Sequence, residues 1–382
     1  MQFRKLSEIS NIIMGQSPNS NSYNEDGEGV PFFQGKADFG KISPTVRIFC
    51  SKPTKLASEL DILMSVRAPV GDVNIANKKC CIGRGLCAIR GYKEVNNKYL
   101  YYYLLTAKGI LNSKATGSTF KAINKSVLEE VMVPMTTLEI QDRIVRVLDK
   151  AQELIDKRKE QIEFLDELVK SKFTDMFGDQ VLNPKGWEKG KIADIVIKTQ
   201  YGTSNKADEQ KGEFKVLRMN NITYSGQWDF SSMKYVDLNE KDKEKYLVYK
   251  GEVLFNRTNS KELVGKTAVY KEEEPMAYAG YLVKAIPNER ATGEFISAYM
   301  NTKYVKSKLF NMAKNIVGMA NINAEEFKKI DVYIPPIELQ NEYIKFVEQV
   351  DKLKFEMEKS LKELENNFKS LMQRSFKGEI FN

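Results

Sequence analysis

The chain has 382 residues, enough for two or three folding units at about 100–200 residues each, and its 42% hydrophobic and 29% charged residues suit a globular protein with true cores. Lys and Arg outnumber Asp and Glu by 59 to 51, a net charge of +8 that permits a polyanionic partner without requiring one. There is no histidine, which removes Ser-His and Cys-His nucleophile pairs, the HExxH zinc site and any imidazole base.

In chain order, MQFRKLSEIS at the N-terminus has no apolar signal core, and no apolar run of about 18 residues occurs, so the chain reads as neither secreted nor membrane-spanning, a cytoplasmic protein. Residues 1–134 form a first variable region. Ile62-Leu63-Met64-Ser65-Val66 predicts a strand, residues 98–111 an amphipathic helix, and Gly, Pro and Asn turns separate such pieces. Cys50, Cys80, Cys81 and Cys87 lack the spacing of paired CxxC knuckles and read as reduced, buried thiols.

Residues 135–180 form a first spacer helix. Leu148, Ile155, Ile162, Val169 and Met176 recur every seven residues, interleaved with Ile144, Ala151, Arg158 and Leu165. A threonine after Pro134 can cap its start, and Gly178 with the Asn183-Pro184-Lys185-Gly186 turn ends it. Residues 181–334 are a second variable region with a strand at 252–255 and an amphipathic stretch at 295–312. Residues 335–382 carry the second spacer helix, entered through Pro335-Pro336. There Val347, Leu361 and Phe368 interleave with Val350, Met357, Leu364 and Leu371. Apolar heptads sustained over about 35 residues, or about 50 Å, predict a coiled coil, and two such helices in one chain most simply pair with each other.

The halves repeat. Ile123-Asn124 recurs 199 residues on as Ile322-Asn323, and Leu138-Glu139-Ile140-Gln141 recurs at the same shift as Ile337-Glu338-Leu339-Gln340. Earlier, Lys5-Leu6 matches Lys191-Ile192 at a shift of 186, and Arg67 matches Arg257 at 190. The chain thus alternates variable and constant pieces. The fold class expected is α+β, with two α+β domains separated by a long antiparallel two-helix coiled coil and a pseudo-twofold duplication.

Catalytic motifs are missing. Gly265-Lys266-Thr267 ends like a phosphate loop, but residue 260 is Ser where Gly is needed; Gly35-Lys36 runs on into Ala37, and Gly83-Arg84-Gly85 is too short for a dinucleotide fingerprint. Glu326-Phe327-Lys328 lacks the paired carboxylates of a metal nuclease. No catalytic residue, metal ligand or cofactor is assigned to the chain.

Polar and cationic groups gather at strand ends and turns instead. In the first region they are Gln34, Lys36, Arg67, Arg84, Lys114, Thr119, Lys121 and Lys125. In the second they are Arg218, Asn220, Asn221, Arg257, Thr258, Asn259, Lys261, Lys314 and Asn315. Arg and Lys suit guanine edges, Asn and Gln suit adenine edges, and Lys, Ser and Thr also hold phosphates, so these are candidate contacts to duplex DNA.

The stretches MGQSPNSNSYNEDGEGVPFFQGKADFG, DILMSVRAPVGDVNIA and CIGRGLCAIR resemble the first target-recognition domain of type I restriction–modification specificity subunits. Trp187-Glu188, Lys191-Ile192-Ala193-Asp194-Ile195, the Pro335-Pro336-Ile337-Glu338-Leu339-Gln340 helix entry and the ending Phe376-Lys377-Gly378-Glu379 are similar to that family too. One departure is Thr136-Thr137, where the second half has Pro-Pro. The resemblance implies two DNA readers joined by the spacer, with two methyltransferase subunits packed on the chain. These bind S-adenosylmethionine and methylate adenine, joined where present by a motor-nuclease subunit. Divergent readers on matched helices imply an asymmetric bipartite target whose gap the helices set. The alternative is a coiled-coil adaptor that binds proteins at both ends and has no DNA role. Salt-dependent duplex binding separates the two.

Overall fold

Ile62-Leu63-Met64 is apolar at every position because both faces of its strand are covered. Successive side chains of a strand point to opposite faces. Ile62 and Met64 enter one core with Ile12, Ile89 and Tyr99, while Leu63 enters another with Phe33, Ile82 and Ala88. Val253-Leu254-Phe255 repeats the arrangement: Val253 and Phe255 join one core and Leu254 a second with Tyr270 and Tyr278.

The computed structural model describes residues 1–116, 121–316 and 319–380, with the backbone alone at 314–316. It groups the chain into two compact units, residues 1–159 with 359–382 and residues 160–358. The sequence divides the chain into four pieces at 134, 180 and 334. Packing instead assigns part of each long helix to each unit.

In the first unit, strand Gln2–Lys5 pairs antiparallel with Met132–Met135, closing the ends of the variable region. A four-stranded antiparallel sheet runs in the order Ser10–Met14, Leu86–Gly91, Ile62–Ser65, Val73–Ile75. A five-stranded sheet adds Val30–Phe33 parallel to Cys80–Ile82. The second unit has the same plan. Glu188–Lys191 pairs with Asp331–Ile334, the sheet order is Val196–Tyr201, Leu282–Pro287, Val253–Asn256, Thr267–Val269, and Phe214–Leu217 lies parallel to Met276–Tyr278.

Hydrogen bonds test the repeat residue by residue. Leu6 N donates to Val131 O and Ile192 N to Ile330 O, in keeping with the shift of 186. The match of Arg67 with Arg257 does not hold. Val66 N donates to Gly85 O as Arg257 N donates to Tyr281 O, and Ile123 N reaches Val66 O as Ile322 N reaches Arg257 O. Val66 is therefore the counterpart of Arg257, and Arg67 of Thr258. The two arginines lie one residue out of step, and one residue in an extended chain reverses the side chain's direction.

The helix predicted at 98–111 is Asn97–Lys114, capped by the Asn96 side chain. The stretch at 295–312 is not one helix but two, Gly293–Met300 and Lys303–Met312. Asn301 turns its amide onto Thr267 O and Ser297 O, and Thr302 Oγ1 accepts from Val305 N, so side chains here supply what a continuous helix would give the backbone. All four cysteines are buried free thiols, and burial pushes Cys80 and Cys87 up to about 12. No helix among the described residues is long and apolar enough to cross a membrane.

The long helices are Leu138–Phe177 and Ile337–Lys377. In the first unit Ile144, Leu148 and Ile155 share a core with Phe368 and Phe376, with Ala151, Leu361 and Leu364 partly buried against it. Tyr99 meets Phe376 edge-on at 5.2 Å, and Tyr102 meets Phe368 at 6.2 Å. In the second unit Phe173 and Phe177 pack with Tyr343, Val347 and Phe295, Val169 adding a half-buried contact. Leu165 and Val350 are buried and Ile162 and Met357 half-buried. Lys354, seven residues after Val347 and so at a seam position, is not a buried lone charge, since its Nζ lies 2.6 Å from Asp166 Oδ1.

Gln141 and Gln340, 199 residues apart, have a shared role. Both are fully buried in the first turn of a long helix. Gln141 accepts from Asn96 N and donates to Glu94 O and Thr136 O. Gln340 accepts from Thr292 N and donates to Arg290 O and Pro335 O. Each ties the helix start to the loop leading into a shorter helix of its own unit. Leucine at position 340 would strand one N–H and two carbonyls away from water. Gln340→Leu should therefore cost about 3 kcal/mol, read as a lower denaturation midpoint, whereas Gln340→Glu should recover none of the lost donor bonds.

Candidate nucleic-acid interface

In each unit the two sheets meet at a turn where glycine is required. Gly15 N donates to Leu86 O and Gly202 N to Leu282 O. A Cβ on Gly15 would stand 2.2 Å from Gly83 O, and one on Gly202 would stand 2.3 Å from Tyr278 O. Beside each turn lies a concavity. Gly85 shapes the first further: a Cβ there would fall 2.2 Å from Gln34 O, so its absence lets the Gln34 strand end approach the Arg84 loop.

The first concavity holds about 530 Å³ and is lined by Gln34, Lys36, Arg67 and Arg84 with Ser17, Ser20 and Tyr23. Four candidates spread over fifty residues of sequence are thus brought together. Lys36 Nζ is 3.1 Å from Asp72 Oδ2, and Arg84 N bonds Ser17 Oγ at 3.4 Å. The stretch after helix Asn97–Lys114 joins the rim through its backbone: Arg67 bridges Ala122, and Lys121 O accepts from Ala68 N. Lys114, exposed at the end of its helix, and Lys125, 3.6 Å from Glu129 Oε1, lie outside the lining. Thr119 lies outside the described residues.

The second concavity holds about 700 Å³ and collects Arg218, Asn220, Arg257 and Thr258 with Asn205, Lys234, Tyr281 and Asn321. Each concavity has three cationic side chains and, among the described residues, no carboxylate in its lining. The lining of each is therefore biased toward an anion, and each also offers amide and hydroxyl groups able to read base edges.

Several candidates in this unit are placed otherwise. Asn221 is 1% exposed, with its Oδ1 taking Arg218 N and its Nδ2 donating to Asp229 O and Ser232 O, so it braces a loop and cannot reach a base. Thr258 touches the concavity but is 8% exposed, and its Oγ1 accepts from Asn321 Nδ2. Asn259 folds its Oδ1 onto Ser260 N. Lys261 lies over the Phe310 ring and lines a different cavity of about 1030 Å³. That cavity mixes lysines with Asp166, Glu262, Glu294 and Asp351, and burial lowers Lys306 there to about 8. Lys314 and Asn315 sit on strand Lys314–Ile316, where the backbone alone is described.

The sequence profile described as the type I restriction modification DNA specificity domain matches twice, over residues 1–164 and 184–366. The chain belongs to this family. A specificity subunit of Methanocaldococcus jannaschii, named for type I restriction enzyme MjaX, is 52% identical over 156 residues, 40% of this chain and 37% of that protein. The type I restriction enzyme EcoBI specificity subunit of Escherichia coli is 19% identical over 412 residues, covering 98% of this chain and 85% of its own length. The crystal structure of the type I restriction–modification S subunit from M. genitalium has the same fold, with a TM-score of 0.56 at 17% identity over 98% of this chain and 96% of that one.

Within the family frame, the residues the sequence did not single out are Ser17, Ser20, Tyr23, Asn205, Lys234, Tyr281 and Asn321. For Asn321 a signal existed: it directly precedes the repeated Ile322-Asn323 pair. Ser17, Ser20 and Tyr23 lie in the family-like stretch MGQSPNSNSYNEDGEGVPFFQGKADFG, while Asn205, Lys234 and Tyr281 carry no motif.

Proposed function

We propose that this chain is the sequence-reading subunit of a type I restriction–modification complex and catalyses nothing itself. Each concavity takes base edges and phosphates of one half of a split, asymmetric duplex site in the major groove. The two long helices form an antiparallel coiled coil that spaces the readers and seats two methyltransferase subunits, with a motor-nuclease subunit where present. S-adenosylmethionine and adenine methylation belong to those partners. The observation that carries this reading is the pair of cationic concavities without lining carboxylates, one beside the same glycine turn in each repeat, with different side chains in each.

Phosphate contacts release counterions, so affinity should fall steeply with salt. For about six contacts the complex reconstituted with its methyltransferase subunits should lose roughly 10³-fold in duplex affinity between 50 and 200 mM salt. Binding that is flat with salt, or absent, would favour a protein-binding adaptor.

A further inference from the structure

The second unit carries a device that the first lacks. Arg257 follows strand Val253–Asn256, with its backbone pinned on both sides: its N donates to Tyr281 O at 3.0 Å and its O accepts from Ile322 N at 2.9 Å. Its guanidinium lies 4.7 Å from the centre of the Tyr201 ring. Tyr201 is itself anchored, because its hydroxyl accepts from Ala324 N at 3.1 Å. The guanidinium makes one long hydrogen bond, Nη2 to Asn321 Oδ1 at 3.4 Å, and its buried Nε has no partner among the described residues. Arg218 in the same concavity also has a buried Nε with no partner among the described residues, but its Nη2 is committed to Ser232 O at 2.8 Å.

A planar cation stacked on an anchored ring, with donors left over, is oriented but unsatisfied. It matches a rigid pair of acceptors, and in the major groove the O6 and N7 of guanine are such a pair. We propose that Arg257 reads a guanine in the half-site taken by the second unit, and that Tyr201 is the positioning residue that holds its guanidinium for that contact. This rests on the DNA-reading function proposed above. In the first unit the counterparts of Tyr201 and Arg257, one residue before the glycine turn and at the same backbone hydrogen bonds, are Met14 and Val66. The first half-site is therefore read without this pair, whatever bases it contains.

The test is methylation of a duplex library, randomised in both half-sites, by the complex reconstituted with its methyltransferase subunits. The wild type should require guanine at one position of the second half-site. Arg257→Ala and Arg257→Lys should lower the preference at that position about 10- to 100-fold and leave the first half-site as it was. Tyr201→Leu should weaken the same position most, while Tyr201→Phe, which keeps the ring face but loses the hydroxyl anchor to Ala324 N, should keep part of the preference. Retained preferences in the first half-site guard against misfolding as the cause. A uniform loss over all sequences with a smaller salt slope would make Arg257 a phosphate contact and overturn the guanine assignment. So would a preference untouched by Arg257→Ala. A wild-type complex with no base preference in either half would instead overturn the DNA-reading function itself.

Discussion

Exchanging residues 1–134 for the matching stretch of another family member should change the bases methylated in one half of the proposed target and leave the other half as it was. The exchanged stretch brings nearly all of the strand pair Gln2–Lys5 and Met132–Met135 with it, together with both sheets of the first unit and its whole concavity. It does cut through contacts to the long helices. Tyr99 and Tyr102 pack on Phe376 and Phe368, and Lys98 Nζ and the Tyr102 hydroxyl bond Asp149 at 2.7 and 2.6 Å. A donor that keeps these three side chains preserves the seat. Mapping methylated sites reads the result. A change in both halves would show that the two readers are not independent.

Inserting one heptad into both long helices, between residues 159 and 160 and between 358 and 359, should lengthen the gap between half-sites by about three base pairs. Seven residues add about 10 Å of helix and nearly two whole turns, against about 3.4 Å per base pair. Both half-sites should keep their bases. A heptad in one helix alone should abolish methylation, because a continuous helix must then slip either Leu148 and Ile155 past Phe368 or Phe173 past Tyr343. Site mapping decides this too, and an unchanged gap after the double insertion would end the spacer role of the helices.

Much of the fold was legible because it depends on periodicity. The heptads foretold both long helices, and every seam residue singled out is buried or half-buried. The strands at 62–66 and 252–255 were legible because a strand covered on both faces is apolar at each position. The single helix expected at 295–312 failed because Asn301 and Thr302 break it through bonds to Thr267 O and Val305 N, and the first of those partners is distant in sequence.

The candidate interface was legible as a set of residue types and much less as a set of positions. Gln34, Lys36, Arg67 and Arg84 do converge, as do Arg218, Asn220 and Arg257. Asn221 and Asn259 turn onto their own loops, as Asn often does in turns. Lys261 belongs to another cavity.

The sequence by itself determined the duplication, the two long helices, the absence of histidine chemistry and the family. Those are properties of spacing and composition, which survive in one dimension. Only the tertiary structure decided which polar side chains line the two concavities, and that Val66, not Arg67, stands where Arg257 stands in the second unit. Side-chain direction reverses with each residue of an extended backbone. An arginine displaced by one residue at the same turn, invisible in a repeat measured over hundreds of residues, is therefore enough to give two copies of one fold differently lined concavities.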